Sequence, residues 1–195
     1  MRPVDNTPRP GKDFVPAVAW AITGAGHFLR EAVRLLSEAS RSGVVVDVFL
    51  SRAAAEVLPM YGLANDVADA ARSVMTEIGH SFPASAGFAS GRYTHLVVAP
   101  ATGNTVSKCA LGIADALVPT LYAQAGKSRV PICVLPTDVA PEAESVAPNG
   151  NRIMVYPRSI DLRMTDTLEA VEGTSVVRSP DGLRAWLAAK GLCSF

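Results

Sequence analysis

At 195 residues, 49% of them hydrophobic and only 18% charged, the chain can bury a full core as one domain without disulfide or metal staples. Its 18 basic and 18 acidic residues cancel, which gives no support to a nucleic-acid or anionic-membrane partner. Cys109, Cys133 and Cys193 are widely spaced and form no CxxC pair, so no metal site is expected. They read as buried free thiols in a reducing cytoplasm. No apolar run reaches the roughly 20 residues of a membrane helix.

Residues 1–14, MRPVDNTPRPGKDF, carry proline and charge without a signal-peptide core and read as a disordered tail before a single domain over 15–195. Val15 to Thr23 is a first buried strand, Gly24-Ala25-Gly26 turns the chain, and Phe28 to Ser40 repeats Leu29, Val33, Leu36 and Ala39 at helical spacing. Gly43 closes that helix. Val44 to Leu50 is a second strand, Ser51 opens a turn, and Ala53 to Tyr61 is a helix. Val67 to Ile78 is read as a helix and the Gly, Ala and Ser-rich Phe82 to Gly91 as loop.

His95 to Ala99 is a short buried strand that Pro100 is expected to stop, followed by a small polar turn, Ala101 to Thr105. A helix then places Val106, Ala110, Ile113 and Leu117 on one stripe. Val130 to Leu135 is an apolar run ended by Pro136, and Ile153 to Tyr156 a short strand. A helix over Thr165 to Glu172 and a strand over Ser175 to Val177 follow, and Ser179-Pro180-Asp181-Gly182 caps a last helix through Lys190. This alternation predicts a doubly wound parallel α/β sheet with helices on both faces.

Four strand ends then carry polar or glycine-rich turns: Thr23 to His27, Ser51-Arg52, Thr102 to Thr105, and Pro136-Thr137-Asp138. In a parallel sheet they share one edge and converge on one ligand. Gly24 and Gly26 let backbone approach closely, free amides at the following helix starts attract phosphate, and Ser51, Thr102 and Thr105 add hydroxyls. The turns lack the third glycine and the second-strand acid of a dinucleotide fold and contain no P-loop, so a mononucleotide fits better than NAD. Each feature has a plainer reading too. The glycines serve helix–strand packing, His27 a helix start, Asp138 a turn and Lys108 a solvated surface. Asp115 reads as a cap or interface residue, and neither His80 nor His95 has metal-ligand spacing.

PATGNT at 100–105 resembles the PASANT or PATANT signature of the homo-oligomeric flavin-containing cysteine decarboxylase-type flavoproteins, which are Rossmann/flavodoxin-like. SKCALGIADALVPTL continues that family's K-x-A-x-G-I-A-D-x-L helix, ITGAG at 22–26 resembles its first turn, and SRAAAEVLPMYGL at 51–63 its second. The chain departs from two branches of it. Gly87 stands near the position of the phosphopantothenoylcysteine decarboxylase histidine, no P-x-M-N-x-x-M-W clamp occurs near Met154 to Met164, and Thr137 replaces the arginine of prenyl-flavin synthases.

The chain is more similar to the dihydromethanopterin reductase-type flavoproteins, through Arg158-Ser159-Ile160-Asp161-Leu162 and the ending from Glu172-Gly173-Thr174 to Leu183. The resemblance implies FMN on Gly24, Ala25, Gly26, Ser51, Thr102, Gly103, Asn104 and Thr105, and His27 and Asp138 are further candidates for touching cofactor or substrate. It also implies trimers or a larger cage, and reduction of dihydromethanopterin to tetrahydromethanopterin for one-carbon transfer, with flavin N5 as hydride source. The electron donor is NAD(P)H or a reduced redox protein, and no catalytic acid is assigned. Two other readings stay open, a flavin-carrying electron-transfer protein without its own substrate and a related decarboxylase or prenyl-transfer enzyme. A deep cleft with room for a second ring system favours the reductase.

Overall fold

The structure is a computed structural model that describes residues 17–79 and 82–193. The expected tail 1–14, the domain boundary at residue 15 and His80 lie outside the described residues.

The strands are β1 (Ala17–Ile22), β2 (Val46–Leu50), β3 (Ser73–Thr76), β4 (Tyr93–Ala101), β5 (Ile132–Pro136) and β8 (Thr174–Val176), paired in parallel in the order β3-β2-β1-β4-β5-β8. The central strands are buried on both faces, which is why they read as unbroken apolar runs. Side-chain alternation sorts them into two cores. Val18, Trp20 and Ile22 face one way, toward α1 (Leu29–Arg41), α2 (Arg52–Met60), α3 (Ala64–Ala70) and α8 (Pro180–Ala189). Ala17, Ala19 and Ala21 face the other, where α4 (Ala86–Ala89), α5 (Gly103–Ala110), α6 (Leu117–Lys127) and α7 (Ser159–Glu169) pack. The small alanine face leaves room for Phe49, Tyr93 and Leu121, all fully buried. The doubly wound reading is borne out.

Helix ends follow the expected local chemistry. Gly43 adopts φ +89° and closes α1, its N–H donating to Ser40 O at 2.9 Å and that of Val44 to Ala39 O at 3.2 Å. Ser51 and Ser179 accept from Ala54 N and Gly182 N at 3.1 Å each, capping α2 and α8.

Several elements differ from the sequence reading. Val67 to Ile78 is not one helix: α3 buries Val67 and Ala70, then the chain extends into the edge strand β3 along β2. Phe82 to Gly91 holds a 3-10 turn (Pro83–Ser85) and α4 rather than loop. A side chain at Gly87 would run into the Tyr93 ring. Pro100 does not stop β4, which runs to Ala101 through a cis Ala99–Pro100 peptide with a register irregularity against β5. The apolar stripe from Val106 to Leu117 is broken: α5 ends at Ala110, Gly112 takes φ +72°, and Ile113 is exposed. The α7 helix starts at Ser159, six residues before the expected Thr165, where the Asp161 carboxylate in its first turn accepts from Arg158 N at 3.2 Å. The expected strand at 153–156 is β7 (Arg152–Val155), which joins β6 (Ala143–Val146) in an antiparallel hairpin outside the main sheet.

Candidate functional site

Strand order reverses between β1 and β4: β2 and β3 continue to one side of β1, β5 and β8 to the other side of β4. Turns leaving such a pair diverge, and a crevice opens between them at the carboxyl edge. Thr23 stitches it together. Its buried hydroxyl donates to Pro100 O at 2.8 Å and accepts from Thr102 N at 2.9 Å, so the ends of β1 and β4 are held in fixed relation.

Two cavities lie against these turns. The first, of about 340 Å³, is lined by Thr23, Gly24, Ser51, Thr102, Asn104 and Thr105 together with Arg52, Glu77, Lys108 and Asp115. Thr102 caps α5, its hydroxyl lying 3.2 Å from that of Thr105. Both acids of this lining are already engaged. Glu77 accepts from Arg52 N at 3.2 Å and Leu117 N at 3.3 Å, and Asp115 from Lys108 Nζ at 2.8 Å, which holds its carboxyl below the usual range. Lys108 is therefore an ion-paired wall residue, not a solvated one.

The second cavity, of about 310 Å³, is lined by Ala25, Gly26, His27, Thr102, Gly103 and Asp138, with Tyr61, Thr137 and residues of the β6–β7 hairpin. The ten candidate residues thus gather on one edge but divide between two cavities, with Thr102 common to both.

The glycines answer to packing as well as to the cavities. A Cβ on Gly24 would stand 2.5 Å from the Ala53 Cβ, one on Gly26 would collide with the Tyr61 hydroxyl, and one on Gly103 would stand 2.5 Å from Asp138 Oδ2. What approaches them is the protein's own second turn and its acids. His27 packs on Phe28 with ring centroids 3.8 Å apart. Burial pushes its pKa down, against the opposing pull of Glu31 and Asp138. Phe28 itself holds φ +62°, a left-handed conformation costing about 1–2 kcal/mol outside glycine. Burial and then Asp161 push the Asp138 carboxyl up, while the Gly103 N–H, Thr137 and His27 pull it down.

Sequence reading missed Glu77, Tyr61 and Asp161. Tyr61 donates to Val146 O at 3.0 Å, tying the end of α2 to the hairpin, and Asp161 lies across Gly103 from Asp138. Glu77 follows β3, a strand whose residues read as part of a helix, while Tyr61 and Asp161 lie at the end of α2 and in the first turn of α7, away from the four turns that carry the sequence signal. The three cysteines are buried and free, and burial pushes the Cys109 thiol up to about 12. Among the described residues no group of three or more His, Cys, Asp or Glu is placed to hold a metal, and no helix is long and apolar enough to cross a membrane.

Residues 8–189 match the flavoprotein family. The chain belongs to it. This flavoprotein is 43% identical over 153 residues to a dihydromethanopterin reductase (acceptor) of Methanosarcina mazei, and 37% identical over 130 residues to one of Methanocaldococcus jannaschii. Those matches cover 74% and 62% of this chain, which spans 60% and 53% of the two relatives' own length. Among solved structures it is similar to Burkholderia xenovorans DmrB in complex with FMN, described as a cubic protein cage for redox transfer. The TM-score is 0.79 at 36% identity, covering 90% of this chain and 94% of that one. A dodecameric FMN-dependent decarboxylase of Escherichia coli, at 20% identity and TM-score 0.65 over 83% of this chain and 79% of that one, shares the fold.

Proposed function

We propose that this flavoprotein is an FMN-dependent reductase of dihydromethanopterin. The observation that carries the reading is the convergence of Ser51, Thr102, Asn104 and Thr105 on one cavity at the β1/β4 switch point. The donor set fits FMN. Hydroxyls, an amide and the starts of α2 and α5 face the cavity, Asp115 is ion-paired with Lys108, and Glu77 is occupied by the Arg52 and Leu117 N–H groups, so a phosphate and a polyol meet donors there. Ser51, Thr102, Asn104 and Thr105, with the backbone of Gly24, would hold the cofactor there, while Ala25, Gly26, His27, Gly103 and Asp138 line the adjoining second cavity. Bound, FMN supplies the hydride that reduces the pterin, and the protein contributes placement and water exclusion.

The likeness to the two named reductases and to the FMN-bound DmrB supports this assignment over decarboxylation, whose histidine and clamp the sequence lacks. With no second nucleotide motif, the donor is NAD(P)H entering the same cleft in alternation or a reduced redox protein. A homo-oligomer built from trimers, up to a cage, in the cytoplasm is the assembly we infer. Exposed Leu111, Ile113, Met154 and Tyr156 suit contact between subunits. Titrating apoprotein with FMN and following flavin fluorescence tests the cofactor step. One FMN per chain is expected, with at least tenfold weaker binding in Thr102→Val. A wild-type protein that takes up no FMN overturns the reading.

A further inference from the structure

Beside the first cavity stands the second, and its chemistry differs. One wall is the β1–α1 turn with His27, and the facing wall is the hairpin, which contributes Ala143, Ile153 and Val155. The Tyr61 hydroxyl bond to Val146 O holds that hairpin in place. At about 310 Å³ the space is at the lower end for small-molecule sites, which suits one bicyclic ring with the rest of its molecule outside. Its floor is the carboxylate of Asp138.

That carboxylate has acceptor capacity left over. Among the described residues no Lys, Arg or His nitrogen comes within 4 Å of it. The nearby guanidinium, Arg158, is committed to Asp161, with Nε and Nη2 each 2.8 Å from its oxygens. Among the described residues the Asp138 carboxylate receives the Gly103 N–H and a long 3.5 Å contact from the Thr137 hydroxyl. Its backbone is fixed, because Thr165 Oγ1 donates to Asp138 O at 3.0 Å. A half-buried carboxylate left in this condition calls for a ligand that brings donors.

We propose that this second cavity receives the pterin ring of the substrate, with Asp138 accepting its N3–H and 2-amino group. A pterin presents those two N–H donors side by side, matching the two oxygens of a carboxylate. An isoalloxazine presents one N3–H flanked by two carbonyl oxygens, which a carboxylate repels. The cavity thereby distinguishes substrate from cofactor, and the apolar hairpin wall covers the ring face. This inference rests on the reductase reading and adds to it the place and the recognition group.

The test is an anaerobic equilibrium titration of FMN-loaded wild type, Asp138→Asn and Ala143→Phe with dihydromethanopterin, alongside a separate FMN titration of each apoprotein. Asp138→Asn is expected to weaken pterin binding at least tenfold, and Ala143→Phe, which fills the cavity from the hairpin side away from the core, to do the same. FMN affinity should stay within twofold in both. Pterin binding equal to wild type in both variants overturns the site while leaving the reductase reading intact. Loss of FMN with Asp138→Asn also overturns it, by assigning the carboxylate to the cofactor. A wild-type holoprotein that binds no dihydromethanopterin contradicts the reductase reading itself, and the inference falls with it.

Discussion

The two edges of the sheet treat polar groups in opposite ways. At the amino edge Asp47 is fully buried, and its oxygens accept from Arg72, from Ser73 at 2.7 Å and from Arg92 at 2.9 Å, tying β2 to the entries of β3 and β4. Burial pushes that carboxyl up, but the Arg72, Ser73 and Arg92 hydrogen bonds outweigh it and hold the pKa at about 2. At the carboxyl edge Asp115 is ion-paired and Glu77 is hydrogen-bonded by backbone, but the hydroxyls of Ser51, Thr102 and Thr105 line an open cavity, and among the described residues no cation is paired with Asp138. A carboxylate closed off by the fold's own donors holds the fold together, whereas an edge with donors and acceptors in surplus is built to meet something else.

Substitutions can separate these roles. The largest loss of stability is expected for Asp47→Ala, which removes the buried acceptor shared by Arg72, Ser73 and Arg92. It should cost about 2–3 kcal/mol, below the value for a fully buried pair because both arginines are partly exposed. Denaturant midpoints measure this, with FMN affinity unchanged. Gly24→Ala at the other edge drives a methyl against Ala53 and should cost about 1–3 kcal/mol, with loss of FMN as α2 is displaced. Unaltered FMN uptake in that variant would detach the turn from the site.

Ser51→Ala removes one helix cap, worth about 1 kcal/mol. Its effect on FMN affinity, about tenfold, should stand out against that small change in stability. The pH dependence is smallest near neutrality. The Asp47 pKa is depressed from its ordinary 3.8 to about 2, so its contribution is fully present above 3.8 and lost as pH falls toward 2. Acid unfolding of Asp47→Asn should lack that component, and identical acid profiles would contradict that role for the Asp47 carboxylate.

How far the sequence revealed these edges depends on whether a feature is local. Ser179 was legible as a cap because a hydroxyl residue at the start of a helical pattern has one strong local use, whereas Ser51 and Thr102, read as hydroxyls of a ligand-binding turn, also cap helices. Gly43 was legible for a similar reason. Pro100 misled because a proline without an N–H normally ends a ladder, yet here its carbonyl receives two bonds from Thr23 across 77 residues. Ile113 fell on the helical stripe by coincidence of spacing, and Gly112 breaks the helix before reaching it. β3 and β6 are short and partly exposed, so they carry little of the burial pattern that reveals a strand, whereas the apolar run of β7 was legible although its antiparallel pairing was not. Asp138 was placed on the right edge, but Asp161, which sets its charge environment, comes from a helix 23 residues further on.

The central claim is that the carboxyl edge carries a flavin that reduces a pterin. Its most direct test is anaerobic mixing of FMN-loaded, pre-reduced protein with dihydromethanopterin while following flavin absorbance. Rapid reoxidation of the flavin with matching formation of tetrahydromethanopterin is the predicted result. Flavin that stays reduced in excess pterin would contradict the claim and leave an electron carrier in its place.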